Sequence, residues 1–193
     1  MPFWEFALSL SALAFVLSAC ALLLAWQLRT GVPPVPLRSR ERQAVIALLG
    51  QAGLGPKAVI YELGCGWGGL ALALARAFPE ASVVGIELSP LPWLVARLRA
   101  RGEPRVRIER GDFFAADLAK ADAAVCFLMM KPMEPLAAKL DRELAPETPV
   151  VAVAFWFRGR APERKDGSVA IYRWRPSPAL PFAPLRGGRS ALP

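Results

Sequence analysis

Three carboxylates stand at the ends of three short segments that read as strands, two of them apolar and the third alternating apolar and charged residues. Glu62 lies near the end of AVIYEL (58–63), Glu87 near the end of SVVGIEL (82–88), and Asp112 follows RVRIER (105–110) in the stretch ERGDFF. After the first run comes GCGWGG, which sets Gly64, Gly66, Gly68 and Gly69 between a strand and the apolar helix GLALALARAF (69–78). Glycines at such a junction allow a tight turn and let backbone N–H groups approach a ligand at a helix start. Through Gly64, Gly66 and Gly69 the turn fits G-x-G-x-x-G, a dinucleotide fingerprint and, taken alone, a weak one. Glu62 argues against that ligand. A carboxylate two residues ahead of the first glycine repels a pyrophosphate and attracts an ammonium. Glu87 is placed to accept from two ribose hydroxyls, as acids at the end of a second strand do in nucleoside-binding sheets. A plainer reading has Glu62 and Glu87 capping helices and Asp112 shaping a turn.

Other chemistry is excluded by composition. The 193 residues include no histidine, which removes Ser-His and Cys-His pairs, imidazole bases and His-metal sites. Cys20, Cys65 and Cys126 are scattered singly, so neither a zinc site nor a disulfide framework is expected, and a reducing compartment suits them. The net charge of +8 is uneven: residues 155–193 hold eight Lys/Arg against two acids, while the preceding body is nearly neutral. No aromatic residues interleave with that basic end in the manner of a nucleic-acid surface, so nucleic acid is not expected there; a solvated tail is the ordinary expectation, with contact to anionic lipid as the alternative.

The elements that must position the acids alternate along the chain. A helix from Ser39 (as its cap) to Leu49 precedes strands at 58–63, 82–88, 105–110, 122–129, 149–157 and 168–174. Between them lie helices at 69–78, at Pro90 to Arg101 and at Met133 to Leu144. In the second of these, Leu94, Val95 and Leu98 are expected inward and Arg97, Arg99 and Arg101 outward. The implied fold is α/β, a Rossmann-like and mostly parallel sheet with flanking helices. Its ligand belongs at the carboxyl ends of the strands.

A membrane helix precedes this body. The stretch from Phe6 to Leu28 has 23 residues and no charge, enough helix to cross a bilayer of ~30 Å. Trp4 and Trp26 sit near its ends, Glu5 precedes it, and Arg29, Arg38, Arg40 and Arg42 follow, which places the catalytic body in the cytoplasm. A secretory signal would need a basic start and a shorter apolar core. Leu17-Ser18-Ala19-Cys20 looks like a lipoprotein cleavage box, yet six more apolar residues follow it. The chain thus divides into a transmembrane anchor (1–29), a Pro-rich linker (30–38), a catalytic domain (39–175) and a basic tail (176–193).

Glu62, Gly64, Gly66 and Gly68 form E-x-G-x-G-x-G, which resembles the first motif of the class I S-adenosylmethionine-dependent methyltransferases. The stretch IELSPLPWLVARLRAR is similar to a helix start in a narrower group, the membrane-anchored protein-lysine methyltransferases. Members of that group act on the mitochondrial adenine nucleotide translocase and the ATP synthase c-subunit. The V-P-x-P linker (Val32, Pro33, Pro34, Val35, Pro36), GDFF after the third strand and the layout of residues 125–157 add to the likeness. The chain departs from the group at Trp67, where an acid is usual.

The resemblance implies S-adenosyl-L-methionine as cofactor, contacted by Glu62, Gly64, Cys65, Gly66, Gly68, Glu87, Leu88, Asp112 and Phe113. Asp112 would accept from the adenine amino group. It also implies a lysine of a membrane-associated protein as acceptor and no metal. FLMMKP (127–132) lacks the Asn/Asp-Pro-Pro-aromatic loop of enzymes that methylate planar amines, so Leu128, Met129 and Trp156 are the candidates to line an apolar channel. Trp93 either walls the cofactor or packs in the core. A lipid or small hydrophobic acceptor, a cofactor-binding scaffold and a small NAD-dependent oxidoreductase are the competing functions.

Overall fold

Short apolar runs, each closed by a glycine or a polar turn, build the sheet. The computed structural model describes residues 3–30 and 35–176. Most of the expected linker's prolines and glycine (31–34) and nearly all of the basic tail (177–193) lie outside the described residues. The strands are β1 (Val59–Leu63), β2 (Ser82–Glu87), β3 (Val106–Arg110), β4 (Ala123–Cys126), β5 (Thr148–Val153), β6 (Arg164–Asp166) and β7 (Val169–Trp174). They form one seven-stranded sheet in the order β3-β2-β1-β4-β5-β7-β6. Strands β1 to β5 run parallel, and β7 is antiparallel to both β5 and β6. Strand order reverses between β1 and β4, the switch point at whose carboxyl ends open α/β sheets bind their ligands.

The helices are α1 (Phe3–Thr30), α2 (Ser39–Gly50), α3 (Gly69–Ala77), α4 (Pro90–Arg99) and α5 (Met133–Glu143). On one face of the sheet, Val45 and Leu49 of α2 and Leu74 of α3 pack with Ile60, Val83 and Ile171. On the other, Leu136 and Leu140 of α5 pack with Leu63, Ile86, Leu118 and Trp174. The parallel strands β1, β2, β4 and β5 are buried on both faces and read as continuous apolar runs, whereas β3 at the sheet edge alternates charged and apolar residues. Helix α1 stands apart from both cores: it is long and apolar enough to cross a membrane, and none of Trp4–Ala21 is buried.

Several expectations are corrected. The last run is the seventh strand, because the polar segment Arg164–Asp166 pairs with it through a turn at Gly167 (φ +57°). An edge strand of that composition has no apolar alternation to reveal it. Strands β4 and β5 stop before the ends of their apolar runs. At β5 the cause is Ala154, whose φ of +64° sits inside a γ-turn closed by Phe155 N–H donating to the Val153 carbonyl at 2.8 Å. The cap position of α2 is Arg38 rather than Ser39, and the Glu41 carboxylate accepts from the Arg38 N–H at 3.2 Å.

The face of α4 is also different. Leu94 and Leu98 point outward, 44% and 43% exposed, while Pro92, Ala96 and Ala100 are buried. The reason lies at Gly68. A Cβ there would fall 2.9 Å from the Ala96 Cβ and 3.2 Å from its Cα, so α4 meets the glycine turn through its small residues. That close approach turns the leucines away. The segment after Asp112 is held from the other side by a buried Lys139, which donates to both Glu143 oxygens (2.6 and 2.7 Å) and to the Ala116 carbonyl (2.5 Å). Glu143 in turn accepts from the Leu118 N–H at 3.1 Å.

Gly68 has φ +74° as well as no room for a side chain. Gly68→Ala is expected to destabilise the fold by about 2–3 kcal/mol, from left-handed strain and overpacking together. Urea unfolding would show it as a lower midpoint at unchanged slope. An unchanged midpoint would mean that α4 is not held by this contact.

Candidate cofactor and acceptor site

The glycine turn spends its amides within the chain. Gly64 and Cys65 both donate to the Ile86 carbonyl, at 2.9 and 3.0 Å, and Gly68 donates to the Cys65 carbonyl at 2.9 Å. Gly66 N–H donates to Glu87 Oε2 at 2.8 Å. A turn built to hold a pyrophosphate needs such N–H groups free. Here a carboxylate already occupies the place of the anion. Gly64, Gly66 and Gly68 all have positive φ, from +52° to +77°, so the turn requires residues without a Cβ. A Cβ at Gly64 would also fall 2.9 Å from Leu128 Cδ2.

Glu87 joins two elements. Its Oε1 accepts from the Ser89 N–H at 2.7 Å at the start of α4, while Oε2 holds Gly66. Each oxygen retains a second lone pair for an incoming hydroxyl. Glu62 is buried, and the Ala71 N–H in the first turn of α3 donates to its carboxyl. Among the described residues, its Oε2 has no hydrogen-bond partner. Burial pushes the Glu62 carboxyl well above the usual carboxylate range, opposed by the Ala71 hydrogen bond and reinforced by the Glu87 charge. Both acids therefore cap helices and keep acceptor capacity toward the crevice.

Asp112 is exposed, and its Oδ1 accepts from the Phe114 N–H at 2.9 Å, an Asx-type turn. Phe113 is half-buried against the α5-side core, its ring centroid 4.5 Å from that of Phe114. Leu88 is exposed just past β2. Glu62, Glu87 and Asp112 thus stand at the carboxyl ends of the adjacent parallel strands β1, β2 and β3. Cys65 is buried beside them, its thiol pushed far up by burial and then by Glu62 and Glu87. Burial also pushes the Cys126 thiol up to about 12. Neither supplies a thiolate nucleophile at neutral pH.

On the acceptor side, Leu128 is buried and Met129 is exposed just beyond β4. Trp156, half-buried after β5, donates its indole N–H to the Ser168 carbonyl at 3.0 Å, with Lys165 Nζ 4.3 Å from its ring centroid. It leans on the β6–β7 hairpin through these two contacts and packs against the same core cluster that holds Leu128. Trp67 is half-buried, and its carbonyl accepts from Arg99 at 2.8 Å. Trp93 lies between the Arg97 and Arg110 guanidiniums, 5.4 and 5.9 Å from its ring centroid, with a buried indole N–H lacking a partner.

Two contributors escape a reading by motif. Gly85, inside β2, leaves room for the turn: a Cβ there would fall 2.9 Å from both Cys65 Sγ and Ile108 Cδ1. A lone glycine within an apolar strand is the signal that could have found it. Ser89 acts through its backbone amide, which no side-chain pattern reveals. Among the described residues, no group of three or more Cys, Asp or Glu side chains is placed to hold a metal. Two clefts of about 320 and 250 Å³ open at the opposite, amino edge of the sheet around Gly53–Gly55, away from the three acids.

Comparisons with known proteins bear on the family, the fold and the cofactor. Residues 62–164 match the model of the ANTKMT methyltransferase domain. A protein-lysine N-methyltransferase of Saccharolobus islandicus is 32% identical over 145 residues, covering 72% of this chain and 90% of its own length. A release factor glutamine methyltransferase of Mycolicibacterium smegmatis is 38% identical over 138 residues, 70% of this chain but only 45% of that enzyme. The crystal structure of an RNA methyltransferase from Salinibacter ruber, in complex with S-adenosyl-L-homocysteine, superposes with a TM-score of 0.66 at 29% identity. The match covers 77% of this chain and 97% of that one. The cofactor is therefore S-adenosylmethionine, and the NAD-dependent alternative is set aside. On the extent of the matched domain and the lysine methyltransferase relative, the chain belongs to the ANTKMT methyltransferase domain family.

Proposed function

We propose that the protein methylates a lysine side chain of a membrane-associated protein, held at the bilayer by α1 with its catalytic domain in the cytoplasm. The observation that carries this reading is the trio of acids at the carboxyl ends of β1, β2 and β3, taken with the lysine methyltransferase relative. The cofactor contacts would be Glu62, Gly64, Cys65, Gly66, Gly68, Glu87, Leu88, Asp112 and Phe113. When bound, S-adenosylmethionine supplies a methyl group already activated on a sulfonium.

The chain's own residues fit that group. The orphaned, buried Glu62 Oε2 calls for a cationic partner, which an amino-acid ammonium provides. Glu87 offers one spare lone pair on each oxygen to a pair of hydroxyls. The absence of a Cβ at Gly64 and Gly68 lets the turn pack directly against Leu128 and Ala96, which fixes the place of the turn. On the acceptor side, Leu128, Met129 and Trp156 exclude water and surround an aliphatic stem, and desolvation there favours the neutral, nucleophilic amine. The charge-free 6–28 segment, its basic carboxyl flank and the unburied α1 support the anchor and its orientation.

The Salinibacter neighbour, an RNA methyltransferase, makes RNA the second acceptor to test. Membranes incubated with the protein and radiolabelled cofactor, then fractionated into protein, lipid and nucleic acid, decide among them. Label in protein that hydrolyses to methyl-lysine is the expected outcome. Label confined to lipid or RNA overturns the lysine assignment, and no label anywhere overturns the enzyme.

Two substitutions test the cofactor side. Because the buried Glu62 carboxyl holds its proton to higher pH than it does in the unfolded chain, ligand-free stability falls as pH rises above the ordinary carboxylate range. In Glu62→Gln that component of the pH dependence disappears, and affinity for S-adenosylhomocysteine drops by about 1–3 kcal/mol, as for a lost charged hydrogen bond. Identical pH profiles for the two proteins would show that Glu62 does not titrate in this window. Glu87→Ala should weaken the same ligand by about 1–3 kcal/mol in calorimetry. Unchanged affinity would take Glu87 out of the site.

A further inference from the structure

On the outward face of α4, Leu94 and Leu98 take no part in the contacts described so far. Leu94 and Leu98 lie one turn apart on it, 44% and 43% exposed. Arg97 and Arg101 flank them and are exposed, as are Arg99 and Arg110. Residues 90–110 hold six arginines and two acids. Both acids are already paired, Glu103 with Arg105 and Glu109 with Arg107, each at 2.8 Å. Among the described residues, none of the other four arginines has an ion-pair partner; Arg97 and Arg110 lie over Trp93, and Arg99 reaches the Trp67 carbonyl. Helix α1, unburied over Trp4–Ala21, lies against α4.

Two leucines ringed by unpaired arginines, beside an apolar helix, complement an anionic lipid surface. The acyl boundary takes the leucines and the phosphates take the guanidiniums. A second copy of the chain is a poor occupant, since a two-fold contact would set arginine against arginine. The geometry points to α4 as a bilayer-resting helix, with Leu94 and Leu98 sunk among the headgroups of anionic lipids and Arg97 and Arg101 on their phosphates. This rests on the reading of α1 as a membrane anchor. Because α4 starts three residues after Glu87, its docking also brings the carboxyl edge of the sheet down to the membrane. That edge carries the exposed apolar side chains Leu88, Phe114, Met129 and Met130. The crevice would then open at the lipid–water boundary.

The test uses the full chain in nanodiscs of phosphatidylcholine with about 30% phosphatidylserine. A benzophenone amino acid replaces either Leu98 or Ala138, an exposed position on α5 across the sheet. Illumination should give at least about five-fold more lipid adduct at position 98, and a third or less of that yield in discs without phosphatidylserine. Arg97→Glu with Arg101→Glu should cause the same loss, and the probe in place of Leu94 should repeat the pattern of position 98. Equal lipid yields at 98 and 138, or adducts at 98 to a second copy of the chain or to another protein, overturn the proposal. Extraction of the full chain from membranes by alkaline carbonate refutes the anchor, and the docking face with it. A chain that resists extraction but gives no lipid adduct at 98 refutes α4 alone.

Discussion

One buried carboxylate fixes the geometry of the catalytic edge. Glu87 accepts from Gly66 on the turn after β1 and from Ser89 at the start of α4, so a single side chain joins two loops and two helices. Such a group is costly to bury unless its oxygens are satisfied, and two backbone amides satisfy them without a countercharge. The result is a negative group at the helix starts where related folds place a phosphate. What the sheet then has to offer is complementary to a cation and to hydroxyls, not to an anion. The nature of the cofactor follows from that choice.

Glu62 sharpens the point. Its burial beside Glu87 raises the cost of its own charge, and the Ala71 amide offsets part of it. The unsatisfied oxygen is a local source of instability in the ligand-free protein that an ammonium relieves. Stability is thus given up where ligand binding recovers it, the pattern expected of a binding site rather than of a structural core. Lys139 and Glu143 show the contrast. That buried pair is closed on itself and on the Ala116 carbonyl, and it serves to hold the loop that carries Asp112 and Phe113.

The frame of the fold was legible because β1, β2, β4 and β5 are buried on both faces and so appear as apolar runs, and because β3 alternates as a half-exposed edge strand does. Glu62 and Glu87 were legible for a related reason: a charge at the end of a buried apolar run has few places to point. What escaped was set by tertiary contact. The polar β6 forms only because β7 offers it an edge. The ends of β4 and β5 depend on turns, such as the γ-turn at Ala154, that apolar content conceals. Helical periodicity alone assigned Leu94 and Leu98 inward, yet the Gly68–Ala96 contact selects the small-residue face of α4 instead. A hydrophobic stripe names a face that wants burial, not the partner that buries it.

The misplaced leucines and the apolar loops are one problem seen from two sides. A catalytic edge bearing Leu88, Phe114, Met129 and Met130 in the open is unfavourable in water, and so is an outward Leu94–Leu98 stripe. In a chain tethered by α1 both surfaces can face the same low-dielectric boundary, where exposure no longer carries that cost. The same boundary serves the proposed chemistry. A lysine amine entering an apolar mouth from the membrane surface is stripped of water, and desolvation lowers its proton affinity before any side chain acts as a base. A site without histidine then needs no proton acceptor of its own beyond the solvent at its rim. What the fold must provide is alignment, and the Glu87 clamp on the glycine turn is the part of the structure that provides it.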